Sequence, residues 1–124
     1  MMKNLILLLL IFIVQLSKAQ TDSTIIAKPF QTGIASYYSK RSTGARTASG
    51  KILNNDSLVC AHRTLPFGTK IKVTNLKNGK SVIVKVIDRG PFGKGRVVDL
   101  SYAAADSLGI LKSGLGKVEV YIIN

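Results

Sequence analysis

Few residues of this chain can move a proton. The acids are Asp22, Asp56, Asp88, Asp99, Asp106 and Glu119, and His62 is the only histidine. Asp88 ends an apolar run and precedes Arg89-Gly90-Pro91. A carboxyl at a strand end, flanked by glycines, can meet a polymer lying across the backbone, because glycine carries no side chain to block the approach. Asp-x-Gly is also ordinary turn chemistry, so a turn-forming role stands beside the catalytic one. Asp99 lies inside a second apolar run, where a structural acceptor role competes with a functional one. Asp22 falls in a polar linker, Asp106 on a helix and Glu119 on the last strand, where exposure is the default. One histidine and no Cys-x-x-Cys pair give no familiar metal set, and no cofactor is expected. Cys60, the only cysteine, has no partner for an internal disulfide. It sits among Leu58, Val59 and Ala61 and is read as a small core residue in preference to a nucleophile served by His62.

Short strands must position these groups. Gly33 to Tyr38 alternates, Leu58 to His62 is brief, and Thr69 to Asn75 puts Ile71 and Val73 on one face and Lys70, Lys72 and Thr74 on the other. Asn78-Gly79 reads as a tight hairpin turn, because both residues tolerate positive φ. Val82 to Ile87 returns, nearly apolar on both faces, as a central strand. Val97 to Leu100 and Lys117 to Ile123 complete six strands. Ser101 caps a helix over Tyr102 to Leu108, which Gly109 stops. Ser39 to Asn55 is rich in Gly, Ser, Thr and Asn and reads as a long ordered loop. A single small sheet would leave its edges open to pairing, so closure into a small all-β barrel with one short helix is favoured.

The N-terminus has a different logic. Lys3 precedes ten apolar residues, Leu5 to Val14, and Ser17-Lys18-Ala19 follows. This is the pattern of a secretory signal peptide over residues 1–19. The run is much shorter than the ~20 residues a spanning helix needs. No cysteine follows the cleavage point, so no lipid anchor is expected. Residues 20–32 read as a linker and 33–124 as the domain. Loss of Lys3 and Lys18 leaves 16 basic residues against 6 acidic, a net charge of +10. A basic exported domain is drawn to acidic envelope polymers. Nucleic acid rests on charge alone and is opposed by the export signal. A monomer, periplasmic or secreted and associated with the cell envelope, is expected.

Taken in order, Gly33-Ile34-Ala35-Ser36-Tyr37-Tyr38, Thr47-Ala48-Ser49-Gly50, Ala61-His62-Arg63-Thr64-Leu65-Pro66-Phe67-Gly68-Thr69, Val73 to Lys80, Asp88-Arg89-Gly90-Pro91-Phe92 and Asp99-Leu100-Ser101 closely resemble the rare lipoprotein A (RlpA) family. The resemblance covers about 33–123. It implies a six-stranded double-psi β-barrel, as in barwin-like proteins and the first domain of expansins. It implies peptidoglycan glycan strands as partner. It also implies lytic transglycosylase activity, a lyase reaction between N-acetylmuramic acid and N-acetylglucosamine that leaves a 1,6-anhydro end. Carried over by position, Asp88 matches the catalytic Asp, His62 its histidine partner and Asp99 the barrel's second Asp.

One carboxyl suits that chemistry. Ordinary glycoside hydrolysis uses two. Here the sugar's own 6-hydroxyl is the nucleophile, so one group can protonate the leaving oxygen and then take the hydroxyl proton. His62 is expected to orient Asp88 or bond a sugar, with a structural histidine as the bland alternative. Tyr37, Tyr38 and Phe92 offer aromatic faces to sugar rings or belong to the core. Lys51, Arg89 and Asp99 complete the expected substrate-binding set. The family reads Thr-Ala-Asn-Gly-Glu where this chain reads Thr47-Ala48-Ser49-Gly50-Lys51. A cation beside Asp88 would favour its carboxylate form and work against a general acid. A barrel that binds glycan or loosens the wall without cutting is therefore the alternative. Many relatives carry a C-terminal SPOR domain; with none before Asn124, this barrel is expected to find glycan by its own groove and charge.

Overall fold

Strand β3 (Lys70–Asn75) buries Ile71, Val73 and Asn75 and exposes Lys70 and Lys72, as its alternation requires. The same inward set recurs around the molecule. The computed structural model describes residues 28–123; the signal-peptide reading and residues 20–27 of the linker lie outside them. Five further strands are β1 (Gln31–Tyr37), β2 (Val59–Ala61), β4 (Ser81–Asp88), β5 (Arg96–Leu100) and β6 (Gly116–Ile122). They close into a barrel in the order β1-β5-β2-β4-β3-β6. The β1/β5 and β2/β4 pairs are parallel and the other four antiparallel. Closure leaves no free sheet edge, the reason a barrel was favoured.

The core is aliphatic and tight. Ile71, Val73, Val84, Val86, Val98, Leu100, Val118 and Val120 fill the barrel, and Ala104, Ala105 and Leu108 of helix α1 (Tyr102–Leu108) pack against it. Ser101 Oγ accepts from Ala104 N at 3.3 Å, and Gly109 ends the helix at φ +79°. Cys60 lies fully buried in this core, and burial, then the charge of Asp99, pushes its thiol well above the usual range. The core reading of Cys60 stands, and the nucleophile reading does not.

Several boundaries and turns differ from expectation. β1 begins at Gln31, inside the stretch read as linker, because Phe30 N–H and Gln31 already pair with Val120 of β6. At the β3–β4 hairpin only Gly79 has positive φ; Asn78 does not. Asn78 instead spends its side chain, donating to Leu108 O at 3.2 Å and accepting from Lys80 N at 2.9 Å. β4 is not apolar-covered on both faces: Ile83 is 50% exposed on its outer side.

Candidate active site

β4 delivers Asp88 at its last residue. Register then sets a row across four strands: Asp88 on β4 pairs with Ala61 on β2, Ala61 with Asp99 on β5, and Asp99 with Ser36 on β1. Residues in one row project to the same face. Two carboxyls therefore flank the small Ala61, their backbones about 10 Å apart by two strand spacings. Asp99 accepts from Ser36 Oγ at 3.0 Å.

Asp88 is partly exposed and its carboxyl is held from three sides. Oδ1 accepts from Ala48 N at 2.8 Å and from Arg89 N at 2.9 Å. Oδ2 accepts from the Tyr38 hydroxyl at 2.5 Å. Tyr38 continues β1 by donating its N–H to Leu100 O, which fixes where its ring starts. Burial, then the bond to Asp88, holds the Tyr38 phenol far above its ordinary range, so it stays protonated.

Ala48 reaches Asp88 through the long loop, which is ordered by its own bonds. Thr47 and Lys51 close a tight turn, with Thr47 Oγ1 donating to Lys51 O at 2.6 Å. Leu53 is buried, and Asn55 ties the loop to Ser39, Thr43 and Tyr102. Ser49 N–H also donates to Ile87 O, one residue before Asp88.

The other expected site residues fall in different places. Tyr37 and Tyr38 are adjacent, so they project to opposite sides. Tyr37 bonds Leu111 O at 2.8 Å and stacks edge-on against Tyr102, packed on the core and away from Asp88. His62 is 2% exposed. Its Nδ1 accepts from Thr64 N and Leu65 N at 3.2 Å, which makes Nε2–H the donor to Gln31 Oε1 at 2.9 Å. Both ring nitrogens are thus spent, and the imidazole does not orient Asp88. The link between them is backbone, His62 N to Asp88 O at 3.1 Å. Burial, then Arg89 and Arg63, lowers the His62 pKa and keeps the ring neutral. Its stabilising role is complete above the ordinary imidazole value and lost as pH falls through the lowered folded one.

Arg89 was expected on substrate. It bonds Leu65 O at 2.8 Å and His62 O at 3.3 Å, and its guanidinium lies 4.0 Å above the Phe67 ring. It locks the turn after β2. Lys51 was also expected on substrate, and its cation would bear on Asp88 only if it lay close. Its side chain is exposed and lines a separate groove with Ile52, Leu58, Lys85 and Ile87, and among the described residues no ion pair joins it to Asp88. Phe92 is 79% exposed, its ring against Gly90. Arg63 steadies its loop by donating to Pro91 O at 2.5 Å and Gly93 O at 2.8 Å.

Asp99 carries a measurable signature. Burial pushes its pKa up and Asp88 adds to this, while Ser36 and Arg96 pull it down. Below about pH 3.8 folded and unfolded chains both hold the proton, and the burial penalty vanishes. Above the raised folded value both are ionised, and the penalty is full. Asp99→Asn should therefore raise Tm at neutral pH, with the gain disappearing in acid. Thermal melts across pH check this; a variant destabilised at neutral pH would mean that the bond to Ser36 outweighs burial.

Ser36, Ala48, Arg63, Gln31 and Asn55 were not singled out as site residues. Ser36 and Ala48 sit in stretches with clear patterns, but Ala48 acts through a backbone N–H, which no residue type advertises. Among the described residues no three His, Cys, Asp or Glu side chains gather, and no helix is long and apolar enough to cross a membrane.

Comparisons with known proteins bear on the family and the fold. The lytic transglycolase family model matches residues 30–120. A Pasteurella multocida protein named endolytic peptidoglycan transglycosylase RlpA is 52% identical over 73% of this chain and 31% of its own length. Its Vibrio cholerae namesake is 46% identical over 75% of this chain and 35% of its own. The chain spans about a third of these relatives' length. Among solved structures, a Streptomyces papain inhibitor aligns with TM-score 0.60 at 24% identity, over 80% of this chain and all of its own. An apo expansin from Clavibacter michiganensis aligns with TM-score 0.60 at 25% identity, over 75% of this chain and 50% of its own. The expected six-stranded double-psi β-barrel is the fold found, and the chain belongs to the RlpA-like double-psi β-barrel family.

Proposed function

We propose that this domain is an exported endolytic peptidoglycan transglycosylase of the cell envelope, acting as a monomer on MurNAc–GlcNAc strands with Asp88 as acid and base. The observation that carries the reading is the Asp88 carboxyl itself. It is partly exposed at a strand end, and three fixed donors set its direction. The relatives' names support the substrate class.

In the first step a protonated Asp88 gives its proton to the glycosidic oxygen. The C1–O bond breaks and its electrons stay on the leaving sugar. In the second, the 6-hydroxyl oxygen attacks C1 and Asp88 takes the hydroxyl proton, which restores the acid and closes the anhydro ring. Tyr38 is the positioning residue. Its hydroxyl donates to one lone pair of Oδ2 and leaves the other for the proton exchanged with the sugar, so the pair holds its geometry through both states. Asp99 is the second carboxyl on the row and meets substrate or its water from the far side of Ala61. Phe92 offers its exposed face to a sugar ring. Tyr38→Phe should lower the rate about tenfold, the worth of one bond to a charged group, with KM unchanged. Tyr37→Phe, on the opposite side, should leave the rate alone. Equal losses in both variants would point to packing and not to positioning.

A second reading, a binding barrel that does not cut, is favoured by one observation: Lys51 stands where the family pattern has Glu. Incubation with peptidoglycan and mass spectrometry for anhydro-ended muropeptides separates the two. Release that is absent from both the parent and Asp88→Asn leaves the binder. Release that persists in Asp88→Asn removes Asp88 from its role.

A further inference from the structure

Arg63 follows the buried His62 just past the end of β2 and is itself exposed. Its guanidinium reaches a second loop: Nε donates to Pro91 O at 2.5 Å and Nη2 to Gly93 O at 2.8 Å. These two carbonyls flank Phe92, so the planar fork spans the residue between them. A lysine, a point charge on a flexible stem, has no such fork. The far side of the loop is held as well. Gly93 O also accepts from Arg96 N at 3.2 Å, and a Cβ on Gly93 would meet Arg96 Cδ at 3.1 Å. Pro91 to Gly93 is thus tied between the end of β2 and the start of β5.

The core gains nothing from this order. Residues 92–96 are all exposed. Phe92, at 79%, is the most exposed large apolar side chain among the described residues. Fixing a loop costs conformational entropy, and here little apolar burial offsets it. Gly90 supports one part of the ring: a Cβ there would lie 3.5 Å from Phe92 Cε2 and 3.7 Å from Cδ2. Gly90 also has φ +122°, which its missing side chain permits. What the loop presents is an aromatic face, fixed in place and open to solvent, four residues beyond Asp88.

We propose that Arg63 is a positioning residue for glycan: it acts through Phe92, whose ring it holds as the platform for a sugar of the strand that Asp88 cuts. The proposal rests on the transglycosylase reading of Asp88 and on the aromatic face assigned to Phe92. A platform that is already ordered binds at less cost than one that must be ordered by its ligand. Freed from the fork, the loop would have to be fixed anew each time a sugar stacks on it. That cost falls on binding. It does not fall on the proton transfers, because the Asp88 carboxyl has its own donors in Tyr38, Ala48 and Arg89.

The test measures kcat and KM for anhydro-end release from soluble peptidoglycan strands, and cosedimentation with insoluble peptidoglycan in an Asp88→Asn background. Arg63→Gln should raise KM and weaken cosedimentation about fivefold, the worth of one hydrogen bond, with kcat unchanged. Phe92→Ala should do the same about tenfold. Arg63→Gln should then add nothing in the Phe92→Ala background, because it acts only through that ring. Arg63→Lys keeps the charge without the fork and should match Arg63→Gln. It also serves if Arg63→Gln does not fold, which melting curves report. Additive losses in the double variant would make Arg63 a direct ligand of glycan, and full rescue in Arg63→Lys would make it a bare charge; either overturns the proposal. So would a lower kcat at unchanged KM, or no cosedimentation of the Asp88→Asn protein. Cosedimentation that falls with Arg63→Gln, without anhydro release from the parent, sinks catalysis alone; release with a parental KM in Arg63→Gln sinks this proposal alone.

Discussion

Asp88→Asn should cut the release of anhydro-ended muropeptides by roughly a thousandfold, within the range that general acid–base catalysis contributes. The substitution keeps the shape of the side chain. Its carbonyl oxygen can still accept from Ala48 N and Arg89 N, and Tyr38 can turn its hydroxyl to accept from the new amide. The amide cannot give a proton to a leaving oxygen or take one from a 6-hydroxyl. The loss should therefore fall on the rate, with the thermal midpoint close to that of the parent. Quantified muropeptides and a melting curve on the same preparation check both halves. A large fall in Tm would assign Asp88 to the fold, where the turn-forming reading had placed it.

Leu100→Ala should destabilise the fold by about 3 kcal/mol, as for a buried leucine whose surroundings cannot collapse. For a domain of this size that lowers Tm by about 15 °C. Leu100 is fully buried at the end of β5. Its carbonyl takes Tyr38 N–H, and its backbone pairs with Tyr37 on one side and Cys60 on the other. The side chain belongs to the core, yet the backbone sets the start of the Tyr38 ring. A partial loss of activity below the new midpoint is expected with the loss of stability. Chemical denaturation at fixed temperature checks the energy, and a change below about 1 kcal/mol would mean the barrel repacks around the gap.

Periodicity is a local property, and the local features were legible. Ile71 and Val73 declared their face because a strand repeats every two residues. Ser101 and Gly109 declared the ends of α1 through capping chemistry. The resemblance to the RlpA family named the barrel and pointed to Asp88. Adjacent aromatics were harder. Tyr37 and Tyr38 are the same residue type, and which one meets Asp88 follows from the β1–β5 register. His62 and Arg89 carry the right chemistry for a site, but their partners are backbone groups and Gln31, tens of residues away or hidden from any residue code. Lys51 sits in the turn that orients Asp88, yet a turn directs its backbone and its side chain to different places.

The amino-acid sequence alone determined the six strands, three of them by alternation, the capped helix, the buried cysteine, the basic surface and the short set of carboxyls open to an acid–base role. Each follows from side-chain size, charge and short-range spacing. Only the tertiary structure decided that Asp88, Ala61, Asp99 and Ser36 share one row, that Tyr38 and Ala48 N–H hold the carboxyl, and that His62 turns away toward Gln31. Those relations join residues as many as 63 positions apart. They are set by barrel closure, which fixes register between strands that have no local knowledge of one another.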